Sequence, residues 1–372
     1  MENTDMLSYV SRATDVMRLN IDRADDLVGP LVDEYVKSGK KSVCLVASGS
    51  SFNASLAARN YMQDQLGCRV DVVSPEAYMR YEAGTLGGSF TMVASQSGCS
   101  TNILDALDYM GVHERRRISL TGNLQSDIVE HSDAAFDYGC GIEACGYVTQ
   151  GVEALILFLV MFAVKAAKAQ GRIDAAGEAD RLAAISEAVD AHEDVVSRMP
   201  EFYESVSGLL ARNVPMLIAG TGPSYGVAQE GALKIMETVK RPCMAYEIEE
   251  FLHGPDYQLT PDYAVLLLGF EVPSNLMKRV YEGVSKVTQA TLLFSDEVDS
   301  DDPRQFAIPA LADPRLVGIP ALAVVQYLSA RVTDELKRWP NHPFFESVWW
   351  NELNSKTSDY QETRKKVIDA AE

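Results

Sequence analysis

Positive charge is scarce in this chain. Lys and Arg total 33 against 53 Asp and Glu, a formal net charge of −20 with a pI near 4.7. A nucleic-acid binder needs a basic footprint against phosphate, and a polybasic membrane anchor needs clustered cations, so neither partner is expected. Long apolar runs are missing too. The longest (154–164) is bounded by Glu153 and Lys165 and is too short to span a bilayer; it reads as a buried core or interface helix. The six cysteines, at 44, 68, 99, 140, 145 and 243, form no C-x-x-C pair and no Cys/His set with zinc-finger spacing. They read as free thiols in a reducing compartment, and no metal is expected. The first residues, MENTDMLSYVSR, are acidic and polar, unlike a signal peptide. These absences together lead to the expectation of a cytoplasmic protein.

What is present suits a globular protein. Hydrophobic residues make up 47% and charged residues 23% of the 372, richer in apolar groups than a disordered chain. That length corresponds to roughly two domains. An internal repeat supports the division. SVCLVASGSSFNASLAARNYM (42–62) and VPMLIAGTGPSYGVAQEGALKIM (214–236) each join an apolar strand-like run, a Gly/Ser-rich turn and an amphipathic helix. Aligning Gly49 with Gly222 gives an offset of 173 (222 − 49), which places Ser51 on Ser224, Phe52 on Tyr225, Glu76 on Glu249 and Tyr78 on Phe251.

Strand-like runs alternate with helical ones in both copies. SVCLVA, RVDVVS, FTMVAS, RISLTG and AAFDYG belong to the first, and PMLIAG, CMAYEI, AVLLLGF and ATLLFS to the second. The alternation predicts an α/β fold with parallel sheets covered by helices. A helical stretch (173–210) joins the copies, and apolar spacing around Leu7, Val10, Val16 and Leu19 predicts helix at the N-terminus. The expected organisation is a helical segment at 1–38, a first domain at 39–170, a linking helix at 171–200, a second domain at 201–335 and a tail at 336–372.

Three loops look suited to an anion. SGSSFNAS and GTGPSYG each put glycines and hydroxyls between a strand and a helix start, where backbone N–H groups favour negative charge. SQSGCST follows the third strand with three more serines, a threonine and a thiol. A capped helix start is the plainer reading of any one loop, since Ser and Thr are ordinary N-caps. Two such loops after adjacent strands of one copy favour a ligand, because open α/β sheets bind at strand C-termini. GTGPSY lacks the third glycine of a dinucleotide fingerprint.

SGSSF, SQSGCS, GTGPSYGVAQEGALKIMET and EEFLHGP together resemble the tandem sugar-isomerase (SIS) domain family. Nearest in pattern are the fructosamine-6-phosphate deglycases and the isomerase half of glucosamine-6-phosphate synthase. The resemblance covers almost the whole chain and is most specific at 220–255. It implies two SIS domains, each a five-stranded parallel sheet flanked by helices, with helical extensions at both ends, in a homodimer or homotetramer. It implies a sugar 6-phosphate held by the first domain, with Ser51, Ser95, Gln96, Ser97 and Ser100 at the phosphate positions and Ser50, Glu143 and Thr149 near the substrate.

The resemblance also places a catalytic carboxylate at Glu237 and a ring-opening histidine at His253. A carboxylate can take the acidic C1 proton of an open-chain sugar phosphate and redeliver it to C2. A histidine near neutral pKa can pass protons between ring oxygen and anomeric hydroxyl. Taken alone, Glu237 is an ordinary helix-surface charge and His253 a turn residue before Gly-Pro. At the repeat offset Glu237 falls on Asp64 and His253 on Arg80, so the first copy lacks the pair while keeping the fuller hydroxyl set. That division suits one composite site. Glu247, Glu249 and Glu250 flank the histidine, where a carboxylate can raise its pKa; a solvated acidic edge is the plainer reading for at least two of them. The family closes its site with a catalytic tail lysine that can form a Schiff base or assist ring opening, and LNSKTSDY offers Lys356 for that role; a solvated tail lysine is the plainer reading. The preceding WPNHPFFESVWW (339–350) reads as a lid or a subunit contact.

Two departures separate the chain from the synthase. Residue 2 is Glu rather than a cysteine nucleophile, and no glutaminase domain is read in the sequence. GIEACGYVTQG has Gln150 where the synthase has lysine. The expected function is therefore a cofactor-independent phosphosugar enzyme, foremost a fructosamine-6-phosphate deglycase. A glucosamine-6-phosphate isomerase or deaminase, or another ketose–aldose isomerase, is the alternative. A non-catalytic sugar-phosphate sensor is a third reading, disfavoured by the acidic N-terminus and by Glu237 and His253.

Overall fold

The computed structural model describes residues 5–212, 214–270, 275–341, 343–360 and 362. It divides into two compact units, Met1–Ala183 with Asn341–Glu372, and Ala184–Pro340.

The first unit opens with helices α1 (Met6–Asp22) and α2 (Ala24–Ser38). Asp5 caps α1 by accepting the Ser8 N–H at 2.8 Å. Five parallel strands follow: β1 (Ser42–Ala47), β2 (Arg69–Val73), β3 (Phe90–Ser95), β4 (Ile118–Thr121) and β5 (Ala134–Asp137). Their spatial order is β2-β1-β3-β4-β5, with β1 an interior strand, pairing Val43 with Val70 on one side and with Phe90 on the other. The continuous apolar runs of β1 and β3 are what a strand covered on both faces requires. Helix α3 (Gly49–Leu66) follows β1, and α4 (Thr101–Val112) follows β3. On one face, Cys44, Val46 and Val93 pack against Ile103, Leu107 and Met110 of α4.

Helix α5 (Gln150–Ala169) contains the long apolar run and is buried along nearly its whole length, packed against α1, α2 and α3. It is a core helix of this unit. Helix α6 (Ala175–Arg212) leads into the second unit.

The second unit repeats the plan with β6 (Met216–Gly220), α7 (Pro223–Lys234), β7 (Cys243–Glu247), β8 (Ala264–Leu268), α8 (Leu276–Val284), β9 (Ala290–Ser295), β10 (Gln305–Ala307) and α9 (Gly318–Glu335). Its parallel sheet runs β10-β9-β8-β6-β7, the same order as the first read from the other edge. The repeat offset of 173 holds to within one residue at the strands: β1, β3 and β4 start at 42, 90 and 118, and their counterparts at 216, 264 and 290. The fold is α/β with parallel sheets, as the pattern predicts, and each sheet has five strands, as the resemblance implies. The strand absent from the sequence reading is β10, only three residues long and preceded by an acidic loop. Among the described residues one helix, Pro314–Glu335, is long and apolar enough to cross a membrane, and 89% of its apolar 18-residue stretch is buried inside the protein.

Candidate functional site

In the first unit the hydroxyl loops meet at the C-terminal end of the sheet. Asn102, in the first turn of α4, donates Nδ2 to Ser48 Oγ at 2.8 Å, so the start of α3 lies beside the start of α4. Ser50 and Ser51 occupy the first turn of α3. The loop from β3 to α4 turns at Gly98, with φ +67; a Cβ there would lie 1.8 Å from Ser126 Oγ, so only glycine is accommodated.

The tail comes back onto this loop. Thr101 N–H donates to Ser355 O at 3.0 Å and Thr357 N–H to Cys99 O at 2.9 Å, making a short antiparallel bridge between Ser100 and Lys356. The bridge aims Lys356 into the cradle. Its Nζ donates to Ser97 Oγ at 3.1 Å and to Ser100 Oγ at 2.8 Å. Ser95 Oγ donates to Ser100 Oγ at 3.3 Å, and Cys99 N–H to Ser97 Oγ at 3.3 Å. The ammonium also lies 5.2 Å from the Tyr360 ring centroid. Burial pulls the Lys356 pKa below that of an ordinary lysine.

Gln96 and Ser97 line one cavity with Glu143, Asn123 and Tyr360. The Glu143 carboxylate accepts the N–H groups of Thr149 and Gly151, each at 2.9 Å, and Gln96 Nε2 at 3.4 Å. It therefore serves the N-terminus of α5, where a negative charge is favoured. Thr149 is fully buried and donates its hydroxyl to Tyr147 O at 2.8 Å. Gln150 is buried and donates Nε2 to Cys140 O at 2.9 Å.

In the second unit Glu237 sits in a one-turn π-helix, Ile235–Val239, that continues α7. Lys234 Nζ bonds Glu237 Oε1 at 2.5 Å and Glu230 Oε1 at 3.1 Å. Lys234 and Glu230 are each 1% exposed, whereas Glu237 keeps 31% of its side chain accessible. Burial raises the Glu237 pKa, with Lys234 opposing and Glu230 adding to the rise. Desolvation works against the Lys234 charge, but the two carboxylates outweigh it and hold the ammonium protonated. The sequence reading missed Lys234 and Glu230, although E-x-x-x-K-x-x-E spacing on a helix is the signal for such a triad.

His253 lies on the surface after the short helix Ile248–Phe251 and donates Nδ1–H to Glu249 O at 2.7 Å. That carbonyl is the main cause of its raised pKa, with the Glu250, Glu249 and Asp256 charges adding to it. Glu249 thus reaches the histidine through its backbone, and Glu247 caps the same turn by accepting the Glu249 N–H at 2.7 Å. Of the aromatic segment, Trp339 donates Nε1–H to Asp334 Oδ1 at 2.6 Å. Residue 342 and the side chains of 343, 344, 346, 349 and 350 lie outside the described set.

Residues 209–331 match the SIS domain family. That stretch, which lies within the second unit, resembles a SIS domain. The repeated strand order of its two units makes the architecture a tandem SIS fold. Among curated relatives, the glutamine–fructose-6-phosphate aminotransferase (isomerizing) of Vibrio vulnificus YJ016 is 28% identical over 264 residues, covering 68% of this chain and 41% of the relative. The chain thus spans about two fifths of the length of the curated relatives it matches. A solved structure of a candidate phosphosugar isomerase from Clostridium difficile 630 covers 95% of this chain and 99% of its own, with TM-score 0.83 and 22% identity. The C-terminal domain of glucosamine-fructose-6-phosphate aminotransferase from Francisella tularensis covers 90% and 97%, with TM-score 0.76 and 19% identity. These structural likenesses show the fold.

Proposed function

We propose that this SIS-domain protein binds a sugar 6-phosphate and transfers a proton between C1 and C2, and that its reaction is the deglycation of a fructosamine 6-phosphate. The observation that carries the phosphate assignment is the hydrogen-bond direction in the cradle. Ser97 Oγ accepts from Lys356 and from the Cys99 N–H, and Ser100 Oγ accepts from Lys356 and Ser95. A hydroxyl oxygen has two acceptor lone pairs and one O–H. With the lone pairs occupied, each serine keeps its O–H to donate, beside an ammonium. Two oriented donors and a cation with no acidic partner among the described residues suit a phosphate.

The acid/base roles are assigned to the second unit. Glu237, with a pKa raised toward the working range, takes the C1 proton and redelivers it at C2. His253 passes the proton that opens the sugar ring. For a fructosamine 6-phosphate, C1 deprotonation gives an enaminol, and protonation at C2 gives an imine at C1. Water then adds across the C=N bond, the C–N bond breaks, and glucose 6-phosphate and the free amine leave. The buried, uncharged Gln150 argues against handling the substrate as the synthase does.

A ketose–aldose isomerase is the second reading, favoured by the likeness to the tagatose-6-phosphate ketose/aldose isomerase of Escherichia coli, at 15% identity and TM-score 0.69. The same C1–C2 transfer serves both. The test is an end-point assay by mass spectrometry on fructoselysine 6-phosphate and glucosamine 6-phosphate. Lysine plus glucose 6-phosphate from the first supports the deglycase. Fructose 6-phosphate from the second alone moves the assignment to isomerase or deaminase. Glu237→Gln is expected to abolish turnover while leaving phosphate binding intact; turnover equal to the parent's refutes the role of Glu237.

A further inference from the structure

A second cavity of about 420 Å³ opens in the first unit at the opposite end of the sheet from the serine cradle. Phe90 and Ile118, the first residues of β3 and β4, lie in its wall. The cradle follows Ser95 at the other end of β3, roughly 17 Å away for five strand steps. The volume lies within the usual range for a small-molecule site, about 300–1,000 Å³.

The chemistry of the lining is unlike that of the chain as a whole. Lys37, Lys40, Arg115 and Arg116 contribute four cations, and Glu34 and Glu114 the acidic groups. A protein of net charge −20 therefore concentrates an excess of positive charge around one concavity. Arg116 is paired with Glu34 at 3.3 Å. The other three cations make no ion pair among the described residues: Lys40 Nζ donates to Gly87 O at 3.4 Å, and Arg115 donates to Tyr78 OH at 3.0 Å. Cations near the C-termini of α2 and α4 offset those helix dipoles, which accounts for the residue types. It accounts neither for the cavity nor for its apolar floor of Tyr78, Phe90 and Met110, all buried.

We propose that this cavity is a second ligand site, distinct from the cradle, for a small phosphorylated metabolite carrying two or more negative charges. The cations take the charged groups. A long polyanion is disfavoured, because beyond the cavity it meets the negative field of the rest of the protein.

The experiment is calorimetric titration of the full chain with pyrophosphate as the probe. It is done in a Ser97→Ala/Ser100→Ala background, so that cradle binding does not contribute, and again with Lys37→Gln/Lys40→Gln added. The expected result is saturable, salt-sensitive binding in the first protein, weakened at least about tenfold in the second. Absence of saturable binding in the cradle background, or equal affinity in the two proteins, overturns the proposal. Amine acylation of the parent protein, read by mass spectrometry, provides a test that does not depend on the variants folding. Saturating pyrophosphate is expected to protect Lys37 and Lys40; unchanged labelling of both overturns the site.

Discussion

Replacing Lys234 by methionine tests whether the second unit holds its acid/base carboxylate through a buried cation. Lys234 and Glu230 are both 1% exposed and 3.1 Å apart, and Glu237 lies on the other side of the ammonium at 2.5 Å. Methionine fills most of the volume but leaves two carboxylates without their cation. Removing one partner from a buried ion pair costs about 3–5 kcal/mol. Glu237 is 31% exposed, so its arm is partly screened and the lower end, about 3 kcal/mol, is expected. That is a large share of a domain's total stability of about 5–15 kcal/mol. The pH dependence has a definite sign. Glu237 already has a folded pKa above its ordinary 4.5, and losing Lys234 raises it further. The folded state then holds a proton that the unfolded state releases, so stability falls as pH rises from about 4.5 through the raised folded value. Urea unfolding at pH 5 and pH 8 is the assay, with a larger loss expected at pH 8. Adding Glu230→Gln is expected to recover most of the loss. A loss below about 1 kcal/mol at both pH values, or no recovery with Glu230→Gln, refutes the reasoning.

The cradle and its neighbouring loop give two more tests. Lys356→Met is expected to weaken inorganic phosphate binding about tenfold or more at pH 7, measured by calorimetry. Because the Lys356 pKa is lowered, the parent's affinity should decline as pH rises through that lowered value, whereas the variant's should not. Linkage gives the opposite trend for stability: the folded state releases this proton before the unfolded one, so the parent gains stability between the lowered value and 10.5, and the variant lacks that gain. Glu143→Ala strips the acceptor from the Thr149 and Gly151 N–H groups at the start of α5. A loss of about 2 kcal/mol in urea unfolding is expected, and Glu143→Gln, which keeps one acceptor oxygen, should lose less.

The repeat is the part of the fold most legible in the sequence. Apolar strand runs and Gly/Ser turns recur at one offset because each sheet needs the same interior strand and the same tight entry into a helix. β10 escaped notice because three edge residues bury too little to impose a pattern. In the candidate site, the serines of SQSGCS were legible as donors clustered after a strand. Glu143 was legible only as a family position; its carboxylate turns out to be engaged by the amides of its own loop. Lys234 went unnoticed because a lysine among helix formers carries no sign of being buried, and only packing decides that its ammonium faces two carboxylates.

The sequence by itself determined the alternation of strands and helices, the two-copy plan, the acidic balance and the chemical types in each loop. These follow from local pattern and composition, which neighbouring residues encode directly. Tertiary structure decided which groups meet. Lys356 lies more than 250 positions from the serines it bonds, and a two-sided backbone bridge brings it there. Lys37, Lys40, Arg115 and Arg116 belong to separate stretches that converge on one cavity because parallel strands gather the ends of their connecting helices at one end of the sheet. No local pattern records such convergence, since it depends on how strands are ordered in the sheet.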